Sequence, residues 1–233
     1  MSFRPDRRRA IAGLAAVSLS GARCMAAPAA IPSLAAADGS PIRNSLAPDT
    51  RRLLEGPRLL AVGSKDPDVT IVELFDYNCG YCKRAAAGID ELLQSDSRVR
   101  LALVNNPILS AESTRAAEAQ AAVLALYGVE PAYQLHQSLL LSRGQVDERR
   151  AFEIAQFMGL DRARIAKAMT DPKVISYVQD QKLFASEGHL RITPTFIMAQ
   201  VAFVGWPGVP TMFRFVAAAR RCGSLQCSGT GQN

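Results

Sequence analysis

The chain has 233 residues, 48% of them hydrophobic and 21% charged, with a formal net charge of +6. That is enough apolar material for one large domain, or for one domain carrying an insertion. Residues 1–29 hold five arginines and one aspartate, so only +2 remains for the rest, which excludes a nucleic-acid-binding reading based on charge.

The first residues read as an address. MSFRPDRRR is basic, AIAGLAAVSLSGA is apolar, and Ala27-Pro28-Ala29 has the small-x-small spacing of a cleavage site. The segment is too short and too weakly apolar to span a membrane, so it is expected to be a signal peptide cleaved near Ala29, delivering the protein to the periplasm. Arg7-Arg8-Arg9 resembles a twin-arginine export signal, although the large apolar residues that usually follow are only partly present and the route stays open. Arg23 before Cys24 argues against lipid attachment. Removal of the signal leaves four cysteines of five, Cys79, Cys82, Cys222 and Cys227. An even number in an oxidising compartment points to disulfides.

Residues 30–58, rich in Ala, Pro, Ser and Asp, lack periodicity and are expected to be an arm or linker with one helical turn near residues 51–55. They hold no heptads for an oligomerising stalk, and a monomer is the expectation. Residues 69–75, VTIVELF, are apolar on both faces, as in a central strand covered on two sides. A helix is predicted over 80–93, burying Ile89, Leu92 and Leu93, and a second strand over 99–105, parallel to the first. Helices then fill 110–189, started by Ser110, by Asp147, by Asp161, and by Asp171 with Pro172 behind it. Gly144 and Gly159 fall where turns are needed. TFIMA and VAFVG, within 195–205, form an antiparallel hairpin whose turn, Met198-Ala199-Gln200, lacks the usual Gly or Asn. A last helix covers 210–221. The division is an α/β domain of 59–109 and 190–221, a helical insertion of 110–189, and a tail of 222–233.

In FDYNCGYCKR, Cys79 and Cys82 are three residues apart at a strand-to-helix junction. Spacing alone leaves three readings: a redox centre, half of a metal site, or two buried thiols. On a helix, positions i and i+3 lie about 5–6 Å apart, within disulfide range. Free N–H groups and the dipole at the helix start favour a thiolate at Cys79, while Cys82, one turn in, is expected to be the more buried. Cys79 is therefore the attacked sulfur and Cys82 the resolving one. Lys83 and Arg84 are expected to add positive charge that lowers the thiol pKa further.

Glu73 interrupts the apolar strand six residues before Cys79. A buried carboxyl is costly unless protonated or paired, and such an acid suits proton exchange with Cys82; a strand-end Glu facing water is the alternative. Pro194 enters a strand in ITPTFI, which a cis Thr193-Pro194 bond would accommodate, though most X-Pro bonds are trans.

FDYNCGYCKR, the helical block and TPTFI some 110 residues later resemble the DsbA-type branch of the thioredoxin superfamily, over about residues 59–221. The resemblance implies a thioredoxin fold, with a mixed central sheet and an inserted all-helical domain, and protein disulfide oxidoreductase activity. It implies a cis Pro194 beside the disulfide, peptide substrates along Thr193, and Glu73 as the family's buried acid. It further implies clients that are cysteine-containing secreted proteins, and a membrane redox partner, either a quinone-linked oxidase or a thiol donor. No cofactor is expected, because the disulfide carries the electrons. Gly80-Tyr81 lacks the histidine found between the cysteines of the strongest oxidants. A less oxidising centre is therefore expected, in a CGYC subgroup that includes oxidants, isomerases and copper-resistance thiol proteins. The alternatives are a reductase or isomerase, and a copper- or zinc-binding thiol protein.

Cys222 and Cys227 lie outside the resemblance and are read as a small structural disulfide. A zinc site built from both pairs is the rival, but the second spacing is wide and a proline would crowd the first pair, so no metal is expected. His136 and His189 are read as packing or surface residues, and Trp206 as a turn-packing residue. Tyr81, between the cysteines, is expected to be exposed to substrate.

Overall fold

The computed structural model describes residues 31–56 and 59–227. The expected signal and the end of the tail lie outside the described residues.

The chain begins with a two-strand pair, β1 (Leu34–Ala35) and β2 (Pro41–Ile42), then β3 (Asn44–Leu46) and a single helical turn, α1 (Arg51–Leu54). Next come β4 (Leu60–Gly63), β5 (Val69–Phe75), α2 (Gly80–Ser95) and β6 (Val99–Asn105). Five helices follow, α3 (Ala111–Tyr127), α4 (Val129–Leu141), α5 (Glu148–Phe157), α6 (Arg162–Ala168) and α7 (Pro172–Glu187). The chain returns through β7 (Thr195–Met198) and β8 (Val201–Val204) to α8 (Val209–Cys222).

One mixed sheet runs in the order β3-β8-β7-β5-β6-β4. β5 and β6 are parallel, β7 is antiparallel to β5, and β8 is antiparallel to β7. This is the thioredoxin fold with its helices inserted between β6 and β7. Side chains alternate across a strand, so β5 feeds two cores. Val69, Ile71 and Phe75 join the larger core with Cys82 and Ile89, whereas Val72 and Leu74 join a smaller one with Leu190 and Ile197. Glu73 shares the parity of Ile71 and Phe75, and thus the face covered by α2.

The segment expected to be an arm is partly sheet. Within it, β3 pairs with β8 through Asn44↔Phe203 and Leu46↔Val201; just beyond it, at the start of the α/β domain, β4 pairs with β6 through Leu60↔Leu103. Both are edge strands too short to show alternation, which is why neither was legible. The tail also packs: Leu225 is buried, and Cys222 is the last residue of α8.

The helix starts fall at the expected residues. Ser110 accepts from the Ser113 N–H, Asp147 from Arg150, Asp161 from Ala163 and Arg164, and Asp171 from Lys173. Along α3 the buried face is mostly alanine, including Ala116, Ala119 and Ala122, which lets neighbouring helices approach closely. The two residues of the β7–β8 turn, Ala199 and Gln200, both have positive φ, 48° and 62°. The tight hairpin forms without glycine, against the preference for Asn or Gly there.

Gly88 sets how closely α2 lies on the rest. A Cβ there would meet Trp206 Cζ2 at 2.4 Å and Val209 Cγ2 at 2.8 Å. Alanine would gain about 1 kcal/mol of helix propensity but would overpack this contact, at a cost of about 1–3 kcal/mol. Gly88→Ala is expected to lower stability by about 1 kcal/mol, read from the urea midpoint.

Candidate functional site

β5 ends in a loop that delivers the cysteine pair to the tip of α2. Cys79 is the N-cap, with φ −80° and ψ 115°, and its carbonyl accepts from the Lys83 N–H at 3.1 Å. The Cys79 N–H donates to the Asp76 carbonyl at 3.0 Å. Cys79 is 6% exposed and Cys82 fully buried, and both are described as free thiols.

One turn apart, the two sulfurs meet opposite electrostatics. The Cys79 thiol is held down to about 5, chiefly by a hydrogen bond from Cys82, against the opposing effect of burial. The Thr193 side chain and the N–H groups of Cys82 and Tyr81 hold it down further. These N–H groups are the free donors of a helix start. Burial pushes the Cys82 thiol far up instead, and the neighbouring Cys79 and Glu73 push in the same direction.

Lys83 and Arg84 are not among the chief causes of the Cys79 shift. Lys83 Nζ donates to the carbonyls of Ser142 and Gly144 at 3.0 Å each, and the Arg84 guanidinium stacks 4.1 Å from the Tyr81 ring centroid. Each cation thus has a partner of its own, and the lowering of Cys79 rests chiefly on the hydrogen bonds above. Tyr81 itself is 61% exposed.

Glu73 is 1% exposed and Oε1 has no hydrogen-bond partner. Burial, then the Cys79 charge, raises its carboxyl to about 8, so it is predominantly protonated at neutral pH. The Thr193-Pro194 bond is cis. It brings the Thr193 carbonyl to 3.2 Å from Cys79 Sγ, which donates to it when protonated. Cys79, Cys82, Glu73, Thr193 and Pro194 are therefore gathered at one end of the sheet, with Tyr81 beside them. Cys222 and Cys227 are elsewhere, joined by a 2.04 Å S–S bond. No His, Cys, Asp and Glu group suited to a metal occurs among the described residues.

Sequence reading missed the residues that fix the loop. Buried Asp76 accepts from the Asn78 N–H and from Ser113 Oγ, both at 2.7 Å, and from the N–H groups of Ile108 and Leu109 at 2.9 and 3.0 Å. Asn78 donates to Ser113 Oγ and the Val146 carbonyl, and accepts from the Val146 N–H. The pair ties the cysteine loop to the helical insertion. The only signal was two Asx residues directly before the cysteines. Ile108 and Leu109, anchored by Asp76, are exposed apolar residues, as is Ile192 before the cis bond. His136 is buried, with Nδ1 3.3 Å from the Tyr77 hydroxyl, and burial holds it neutral with its pKa lowered to about 3; His189 is exposed.

The DSBA-like thioredoxin domain family matches residues 70–219. A thioredoxin-like oxidoreductase from Silicibacter pomeroyi DSS-3 superimposes with a TM-score of 0.68 at 30% identity, covering 75% of this chain and 99% of that one. A periplasmic thioredoxin-like protein from Salmonella enterica serovar Typhimurium gives a TM-score of 0.66 at 21% identity, over 72% and 94%. The chain is also 26% identical over 137 residues to the Na(+)/H(+) antiporter NhaA 1 of Salinispora arenicola. That match takes in 58% of this chain but spans only 21% of the antiporter.

Two outcomes are expected from these environments. First, alkylation of the reduced protein at Cys79 titrates near pH 5 while Cys82 stays unreactive; a midpoint near 8.5, the value of free cysteine, would contradict the geometry. Second, the two perturbed groups oppose each other in stability. Cys79, with a lowered pKa, stabilises the reduced fold above the unfolded thiol value, and this is lost as pH falls through about 5. Glu73, with a raised pKa, contributes stability that is lost as pH rises from the ordinary carboxylate range through about 8. Buried His136, with its lowered pKa, adds stability as pH rises to the ordinary imidazole value of 6.5 in either variant, so the contrast is read above it: between about pH 7 and 8 the reduced Glu73→Gln protein should gain stability with pH, and Cys79→Ser should lose it, in urea unfolding.

Proposed function

As the chain belongs to the DSBA-like thioredoxin domain family of disulfide oxidoreductases, we propose that it is exported and oxidises secreted proteins through Cys79 and Cys82. The observation that carries this is the opposed pair of thiols, one a stable anion and one not. In the oxidised enzyme a client thiolate attacks Cys79 Sγ. The Cys79–Cys82 bond breaks, and a mixed disulfide forms between the client and Cys79. Cys82 leaves with the electron pair and, being a poor anion in its buried setting, takes a proton from Glu73. A second client thiolate then attacks the client sulfur of the mixed disulfide. The client disulfide forms, and Cys79 departs as a thiolate that needs no proton. Two client thiols are oxidised and the enzyme dithiol is left reduced, so a membrane redox partner must remove two electrons for the next cycle. The disulfide carries the electrons and no bound cofactor enters this reading. Thr193, Pro194 and Tyr81 are the surfaces that the client backbone meets.

Export is supported by the basic, apolar and small-residue order of residues 1–29, by the Cys222–Cys227 disulfide, and by the periplasmic relative. No helix of the described residues is long and apolar enough to cross a membrane.

The more stable the Cys79 anion, the more the reduced form is favoured and the stronger the oxidant. A value near 5 lies between those of a strong oxidase, about 3.5, and thioredoxin, about 7. The Cys79–Cys82 potential is therefore expected between about −120 and about −270 mV, measured against glutathione. A value at or below that of thioredoxin would overturn the oxidising direction in favour of a reductase. Glu73→Gln is expected to slow client oxidation at pH 7 by about 10²-fold, the scale of general acid catalysis, while Cys79 alkylation continues. Equal turnover in both proteins would remove Glu73 from the mechanism.

A further inference from the structure

Beside the cis bond, on the sheet face away from α2, is a cleft of about 270 Å³ between the start of β3 and the α7–β7 connection. Arg43, His189, Arg191 and Ile192 line its rim, and Thr195 lies on its wall. No acidic side chain lines it, and the adjacent Glu187 faces the neighbouring cleft under α1. Both arginines are exposed, and neither is ion-paired with a carboxylate among the described residues.

The cleft is tied to the reactive sulfur by short bonds. The Arg43 carbonyl accepts from the Val204 N–H at 2.9 Å, fixing that segment against β8. Thr195 Oγ1 donates to the Ile192 carbonyl at 2.6 Å, and the next residue, Thr193, holds Cys79 Sγ. Arg191 is two residues before Thr193, an extended span of about 7 Å. A client backbone lying along Thr193 thus carries side chains two or three positions from its cysteine over the cleft.

We propose that this cleft selects clients with acidic residues flanking the reacting cysteine, Arg43 and Arg191 receiving the carboxylate. The inference rests on the oxidoreductase reading of the Cys79 site. Two partly exposed pairs are worth about 1 kcal/mol together, which corresponds to a preference of about five-fold.

The test uses the oxidised full chain and three dithiol peptides, amidated at the C-terminus, differing only in acidic, neutral or basic residues two and three positions from one cysteine. Each oxidation rate is divided by the rate with dithiothreitol, a small uncharged dithiol that reports the chemistry apart from the cleft. The acidic peptide is expected to lead the neutral one by about five-fold, with the lead collapsing at 0.5 M salt because the pairs are screened. In the Arg43→Glu/Arg191→Glu protein the order should invert, and in Arg43→Gln/Arg191→Gln it should vanish. Equal ratios for all three peptides with the unaltered protein, dithiothreitol still being oxidised, would overturn the inference and leave the site reading standing. Failure to oxidise dithiothreitol as well would overturn both.

Discussion

Denial of charge to Cys82, one helical turn from a sulfur that bears it readily, is the constraint around which the rest of the molecule is organised. Cys79 meets N–H donors at the α2 tip, and Cys82 meets a core with an unpaired carboxyl. Hydrogen bonds lower the Cys79 pKa against its own burial, whereas burial raises that of Cys82, one turn of helix further into the larger core. Glu73 belongs to the same arrangement. A carboxyl kept neutral by burial is tolerated where a carboxylate would not be.

Holding this gradient requires that the loop before the helix not drift. Asp76 and Asn78 secure it through six hydrogen bonds from side-chain atoms to Ser113, Val146 and the backbone of the surrounding loops, together with the Asn78 N–H. The helical insertion is therefore more than a lid beside the sheet. Its first helix and the loop before α5 supply the groups that fix the cysteines. On the opposite side the absence of a Cβ at Gly88 lets α2 rest directly on Trp206. The helix tip is positioned from both flanks.

The parts of this arrangement that could be read from the chain are those encoded locally. The continuous apolar run of β5, the period of α2 and the Ser and Asp caps of the insertion each depend on neighbours a few residues away, and each stands where the sequence placed it. Glu73 stood out because a carboxyl in an apolar strand breaks its surroundings. Pairings between distant segments left no such trace. β3 is short and polar, so its union with β8, more than 150 residues later, had no periodic signature. The Asp76–Ser113 contact is likewise invisible before the chain folds.

The brevity of β3 and β4, three and four residues at the two borders of the sheet, bears on the company this protein would keep. Unfolded polypeptides carry unsatisfied backbone groups and readily add to any long, open strand. Borders this short offer few rungs for such accretion. The sheet itself therefore offers little on which extended chains could accumulate as a deposit.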